Sequence, residues 1–167
     1  MTEIKARECV AVGLTLNGAT ITGQAEPRML LSDFLREECG ATGVHVGCEH
    51  GVCGCCTIIL NGVAARSCLV LAVQAEGAVV ETVESLAEAD GELNALQESF
   101  RKHHALQCGF CTPGILMSLT ELLRRNPKPS QEEVVSVVGG HLCRCTGYTN
   151  IIDAAMDAIN RGGDEGL

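Results

Sequence analysis

The sequence predicts an α+β chain in two parts, a small sheet-bearing unit followed by a bundle of helices. Three observations predict it. The first half carries period-two apolar alternation and two Asn-Gly turn signals. The second half carries helix caps and apolar residues at helical spacing. Cysteines fall in tight clusters, some in each half.

Val10, Val12, Leu14 and Leu16 alternate with smaller or polar residues, so they form a first strand. Asn17-Gly18 turns it into a second strand over about Ala19 to Gln24. Pro27 to Glu38 is expected to be helical, with Leu30, Leu31, Phe34 and Leu35 on one face. Thr57 to Leu60 is a short apolar strand, Asn61-Gly62 a second hairpin, Val63 to Val70 the return, and Val79 to Val83 a last strand. That is the element list of a ferredoxin-like β-grasp unit.

Beyond residue 83 the character changes. Glu84 to Glu92 is acidic and Ala-rich and is expected to be a linker. Leu93, Leu96 and Phe100 share a helical face, and Thr112-Pro113 is expected to cap a helix ending at Asn126-Pro127. Ser130 and Glu133 form a capping box for a helix ending at Gly139-Gly140. Asn150 is expected to cap a last helix from Ile151 to about Asn160, stopped by Gly162-Gly163. The organisation is therefore a sheet domain over 1–83, a linker over 84–92, a four-helix bundle over 93–161 and a tail over 162–167.

Apolar residues make up 46% of the chain and aromatics only 2%, which favours small units packed with Ala, Val and Leu. The net charge of −9 argues against nucleic acid and against anionic membrane surfaces. No run approaches the ~20 apolar residues that span a bilayer, and the N-terminus has no signal-peptide core. Eleven cysteines are too many for ordinary core positions in 167 residues. Their odd number and clustering argue for metal over disulfides, hence for a reduced, cytoplasmic protein.

The first cluster reads Cys48-x4-Cys53-x2-Cys56-x11-Cys68. The first three have the spacing of a plant-type [2Fe–2S] loop, and a distant fourth completes the set. Soft thiolates suit ferric iron and bridging sulfide. Gly47, Gly51 and Gly54 interleave the cysteines and let the backbone wrap closely round a cluster. Cys55 and Cys56 are adjacent; the spacing selects Cys56 and leaves Cys55 a buried spare thiol.

The second cluster is Cys108-x2-Cys111 and Cys143-x-Cys145, with 31 residues between the pairs. Each pair precedes a helix start, where free N–H groups favour an anionic thiolate cluster. Cys143 and Cys145 would diverge on a helix and must lie in a loop. Structural zinc is the alternative, since two cysteine pairs also make a zinc ribbon. The CxC spacing and the iron–sulfur character of the first half favour a cluster. His50 and His141 read as supporting or surface residues, and His45, His103 and His104 as ordinary polar positions. Cys9 and Cys39 are isolated and read as plain thiols.

From Val10 to Asn160 the chain resembles the small iron–sulfur subunit of molybdenum hydroxylases, the xanthine oxidase family. The resemblance rests on Gly47-Cys48 to Cys56, Arg66-Ser67-Cys68, Gln107 to Gly114, and Leu142-Cys143-Arg144-Cys145-Thr146-Gly147-Tyr148. Cys55 departs from the family, which usually has a small non-thiol residue there. The resemblance implies two [2Fe–2S] clusters, one on Cys48, Cys53, Cys56 and Cys68, the other on Cys108, Cys111, Cys143 and Cys145. It implies a large partner subunit with a molybdenum–molybdopterin cytosine dinucleotide and the substrate, and a medium subunit with FAD, as a dimer of heterotrimers. Gln107 and Cys145 would touch the pterin. Electrons would pass singly from molybdenum through both clusters to FAD while a small substrate, an N-heterocycle or aldehyde-like molecule, is hydroxylated. A free ferredoxin-like carrier would explain the first half but not the second. A zinc-stapled interaction module is the other rival.

Overall fold

A computed structural model describes residues 5, 7–87 and 91–165. Of the expected linker, 88–90 lie outside the described residues, as do 1–4, 6 and, in the expected tail, 166–167.

The first half is a five-stranded sheet in the order β2-β1-β5-β3-β4. Strands β1 (Val10–Leu16) and β2 (Ala19–Ala25) form the first hairpin. Its turn residues Asn17 and Gly18 have φ of 50° and 83°, the paired left-handed conformations that such a two-residue turn requires. Strands β3 (Thr57–Leu60) and β4 (Val63–Arg66) form the second. Strand β5 (Val79–Glu81) joins the hairpins, parallel to β1 and antiparallel to β3.

Three expected elements are shorter, among them the last strand, which stops at Glu81 and gives way to a 3-10 turn over Val83–Ser85 in place of the expected run to Val83. Helix α1 covers only Leu31–Asp33 and continues as a π-helical turn over Phe34–Glu38. The wide turn closes where the Cys39 amide donates to the Phe34 carbonyl, and it keeps Leu31, Phe34 and Leu35 fully buried. After β4 the chain leaves the sheet at Ser67–Leu69 in a 3-10 turn, so Cys68 is carried by a turn and not by the predicted strand to Val70.

The second half has helices α2 (Ala95–Lys102), α3 (Thr112–Arg125), α4 (Gln131–Gly139) and α5 (Thr149–Glu165). The Ser130–Glu133 capping box is present, and an unforeseen one joins Asn94 and Gln97. Cys111, not Thr112, stands at the N-cap of α3. Asn150 lies inside α5, and α5 passes through Gly162 and Gly163. A glycine costs a helix only about 1 kcal/mol, less than a packed 17-residue helix can carry.

Two apolar cores result. The sheet core takes Val12, Leu14, Leu16, Phe34, Leu35, Ile58 and Val80. The helical core takes Phe100, Ile115, Leu119, Leu122, Val138, Ile151 and Ile159. Successive side chains of a strand face opposite ways, so β3 gives Ile58 to one core and Ile59 to the other. The two halves therefore share a strand. Arg124 on α3 adds a bidentate pair to Glu81 on β5, with both contacts at 2.7 Å.

Asp157 on α5 ties that helix to α2. It accepts from Ser99 Oγ at 2.7 Å, Lys102 Nζ at 3.0 Å and the Arg161 guanidinium. The Ser99 hydroxyl and then the neighbouring cations hold its carboxyl well below the usual range. A carboxyl depressed on folding stabilises above its unfolded value and loses that contribution as pH falls through the folded one. Asp157→Asn should therefore cost about 1–2 kcal/mol near neutrality. The gap between variant and parent should shrink below about pH 4. Thermal unfolding of both chains across that range measures it.

Candidate metal centre

The loop from Gly47 to Cys56 has little regular structure because it follows the needs of its thiols. Gly51 and Gly54 have φ of 79° and 78°, where an L side chain is strained. Each also sits under a roof. A Cβ on Gly51 would stand 2.5 Å from Leu69 Cδ1, and one on Gly54 would stand 2.5 Å from His141 Nδ1. A Cβ on Gly47 would press the Cys53 sulfur at 3.3 Å. The loop backbone is thus folded inward at all three glycines that the sequence singled out.

Cys48, Cys53, Cys56 and Cys68 are brought together, with Cys48 half-buried and the other three buried. They stand as pairs. The Cys53 amide donates to Cys48 Sγ at 3.4 Å, and the Cys68 thiol lies within hydrogen-bonding reach of Cys56. The backbone N–H groups of Cys53 and His50 pull the Cys48 thiol down to about 6. Burial, then the Cys56 thiol, pushes Cys68 up to about 11. Amides that favour a thiolate at Cys48 also suit the sulfur of an anionic cluster. Cys55 is buried outside both pairs, and burial first, then Cys53, pushes its thiol up to about 12.

The second set is assembled from the turn before α3 and the turn before α5. Cys111 is buried, Cys143 half-buried, and Cys108 and Cys145 exposed. Cys111 and Cys143 lie side by side; burial and then the Cys143 thiol push Cys111 up to about 12. Burial would raise Cys143 too, but the Thr146 hydroxyl, 3.1 Å from its sulfur, and nearby amides bring it down. Gln107 Nε2 donates to the Cys145 carbonyl at 3.1 Å, so these two residues share one exposed corner. Tyr148, with a φ of 70°, closes the loop: its hydroxyl accepts from the Cys143 amide at 3.0 Å and donates to the His141 carbonyl at 3.2 Å.

The donor chemistry fits a binuclear cluster in each set. Among the described residues no three His, Cys, Asp or Glu side chains converge as they would on a single ion. In the first set the thiols stand as two pairs, and in the second Cys111 and Cys143 form one pair, with Cys108 and Cys145 exposed on the neighbouring turns; a binuclear cluster takes its thiolates in pairs. Thr112 Oγ1, next in sequence to Cys111, is a buried hydroxyl without a protein partner, a donor that would suit the sulfur of a cluster held there.

Sequence reasoning missed what the histidines do. His141 is 1% exposed. Its Nε2 lies 2.8 Å from Ser118 Oγ, and burial, then the Arg66 charge, lowers it to about 4. His45 stacks on Phe110, with ring centroids 5.0 Å apart, and its Nδ1 lies 2.9 Å from the Phe110 carbonyl. Partners 65 residues apart leave no local signal. His103 pairs with Asp157, His104 is an exposed turn residue, and His50 is exposed. Cys9 is exposed and Cys39 half-buried.

Fold and thiol sets together define a two-domain iron–sulfur protein, and comparisons with known proteins agree. Residues 14–87 match the 2Fe-2S iron-sulfur cluster binding domain family. Residues 82–156 match the [2Fe-2S] binding domain family. The nicotine 6-hydroxylase small subunit of Paenarthrobacter nicotinovorans is 50% identical over 165 residues, 99% of each chain. Caffeine dehydrogenase subunit gamma of Pseudomonas sp. (strain CBB1) is 56% identical over 146 residues, 86% of this chain and 87% of that one. A crystal structure of quinoline 2-oxidoreductase from Pseudomonas putida 86 superposes with a TM-score of 0.89 at 53% identity, over 95% of this chain and 98% of that one. The chain belongs to the family of small iron–sulfur subunits of molybdenum hydroxylases.

Two paired thiol sets predict about four irons and four sulfides per chain and no stoichiometric zinc. Elemental analysis of the native protein checks this, and one or two zincs would defeat it. Within the loop, Cys56→Ser should abolish or strongly alter one paramagnetic signal while Cys55→Ser preserves it. The reverse pattern would reassign the ligand.

Proposed function

We propose that this chain is the electron relay of a molybdenum hydroxylase. Cys48, Cys53, Cys56 and Cys68 of a β-grasp domain over 1–83 hold one [2Fe–2S] cluster. Cys108, Cys111, Cys143 and Cys145 of a helical domain over 93–161 hold the other. When bound, the clusters accept and release one electron at a time. The chain gathers the thiols and aims amides at them.

The observation that carries the reading is that the two thiol sets lie against each other, the Leu142 amide beside Cys143 donating to the Cys53 carbonyl at 2.9 Å, while Cys108 and Cys145 of the second set stay exposed. Gln107 and Cys145 share an exposed corner of the helical set, which suits contact with a pterin on a large subunit. Exposed apolar side chains flank both loops: Val52 and Leu69 beside the first, Leu106, Phe110 and Leu142 beside the second. Such side chains suit burial against partner chains. A large subunit with a molybdenum–molybdopterin cytosine dinucleotide and a medium FAD subunit, in a dimer of heterotrimers, are the partners. Relatives named for nicotine, caffeine and quinoline favour an N-heterocycle over an aldehyde as the complex's substrate. The thiol content suits a reduced cytoplasm.

The order of transfer is open to test in the assembled complex. Cys143→Ser should stop substrate from reducing both the remaining cluster and FAD. Cys53→Ser should still let substrate reduce the helical-domain cluster but should starve FAD. Rapid-mixing spectra decide it, with cluster loss verified in each variant. Normal flavin reduction in the Cys143 variant would show that the relay does not run in this order.

A further inference from the structure

The hydroxyl groups around the two thiol sets are used differently. At the first set, Thr57 Oγ1 donates to the Gly54 carbonyl at 2.6 Å and Ser67 Oγ to the Cys56 carbonyl at 2.8 Å. Both hydrogens go to backbone oxygen, and amides are the groups that meet the sulfurs of Cys48 and Cys68. At the second set, Thr146 Oγ1 lies 3.1 Å from Cys143 Sγ. Thr112 Oγ1, next in sequence to Cys111, has no protein partner to fix its direction. Thr146 is therefore the hydroxyl that the structure places on a cysteine sulfur.

The surroundings of Thr146 fix which way its hydrogen points. A hydroxyl has one hydrogen to give and two lone pairs with which to accept. The Tyr148 amide donates to Thr146 Oγ1 at 3.1 Å and occupies one of those lone pairs. A cysteine holds metal as a thiolate, so its sulfur then has no hydrogen to give. The O–H of Thr146 is what remains to fill the contact with Cys143 Sγ. Tyr148 is itself held, since its hydroxyl accepts from the Cys143 amide at 3.0 Å and donates to the His141 carbonyl at 3.2 Å. The threonine is thus gripped by the turn that carries the thiol. Burial would raise the Cys143 thiol, and the Thr146 hydroxyl is the first of the groups that bring it down. A donor that favours negative charge on this sulfur also favours the charge that a cluster gains on reduction.

We propose that Thr146 donates a hydrogen bond to the Cys143 sulfur and thereby raises the reduction potential of the helical-domain site, an O–H···S contact without a counterpart among the described hydroxyls of the β-grasp site. This deepens the relay function and rests on the ligand reading above. Reduction adds one electron to the helical-domain site and removes one from its donor, which is dithionite in the test below. The Thr146 O–H bond stays intact and no proton moves. Part of the added charge falls on sulfur, so the hydrogen bond is stronger in the reduced site than in the oxidised one.

The test uses the complete complex with its partner chains, carrying Thr146→Val or Thr146→Ser. Valine keeps the shape of threonine and removes the hydroxyl, whereas serine keeps the hydroxyl. Electron paramagnetic resonance through a dithionite titration reads the midpoint potential of each iron–sulfur signal. The signal lost in Cys143→Ser is the one from the helical-domain site. Thr146→Val should shift that couple about tenfold toward its oxidised form, a lowering of about 59 mV for one electron. It should leave the other couple unchanged, and Thr146→Ser should keep the wild-type potential. Wild-type potentials in Thr146→Val would overturn the donor role and leave the ligand reading standing. A lowering that serine shows as well, or one shared equally by both signals, would also overturn it, since either marks a loosened turn. Should Thr146→Val not hold the helical-domain cluster, Thr146→Ala decides instead: the same downward shift supports the donor, and an unchanged potential overturns it. A wild-type complex without two distinct iron–sulfur signals would overturn the ligand reading, and the donor role with it.

Discussion

No helix or strand can deliver four thiols to one small volume, and the rest of this structure follows from that constraint. Neighbouring side chains on a strand face opposite ways, and residues two apart on a helix diverge. The thiols must therefore ride on turns, and a turn leaves backbone amides without partners in a sheet or helix. Here part of that surplus is used on sulfur: the Cys53 amide reaches Cys48 Sγ. The regular elements serve as abutments. The sheet holds the ends of the first loop through Thr57 and Cys68, and α3 and α5 begin where the second set ends.

Putting two such loops in contact imposes a second requirement, because loops are ordinarily solvated and mobile. These are packed on each other. His141, next to the second set, is buried over Gly54 of the first, and Arg66, two residues before Cys68, reaches across to Gly140. Strand β3 gives Ile59 to the helical core, so the halves are joined by apolar packing as well as by polar ties. Lowering of His141 to about 4 keeps its ring neutral at physiological pH, which avoids a bare charge in the contact.

Sequence legibility followed the range of each interaction. The Asn17-Gly18 and Asn61-Gly62 turns and the Ser130–Glu133 box involve residues a few positions apart, and each reads directly. What did not read depended on distant partners. The π turn at Phe34–Glu38 answers to the sheet core above it. Cys111 replaces Thr112 at the N-cap of α3, leaving the expected capping hydroxyl buried and unpartnered. Gly162-Gly163 would stop an isolated helix, but α5 arrives there already propagated from a packed face of Ile151, Ala154, Ala155 and Ala158. The Leu142–Cys53 and His45–Phe110 contacts join separate halves, where composition and periodicity carry no information.

The contact between loops also makes the two thiol sets unequal. In the second set, Cys111 is buried, Cys143 half-buried, and Cys108 and Cys145 remain open. In the first, three of the four are buried, and amides are directed at both the half-buried Cys48 and the buried Cys68. Exposure and N–H···S bonding are two of the levers that set a cluster's potential. On the ligand reading proposed here, both levers act differently at the two sites, although every ligand is cysteine. A relay needs sites that are close but distinguishable, and packing the two loops on each other while leaving their thiols unequally exposed supplies both properties.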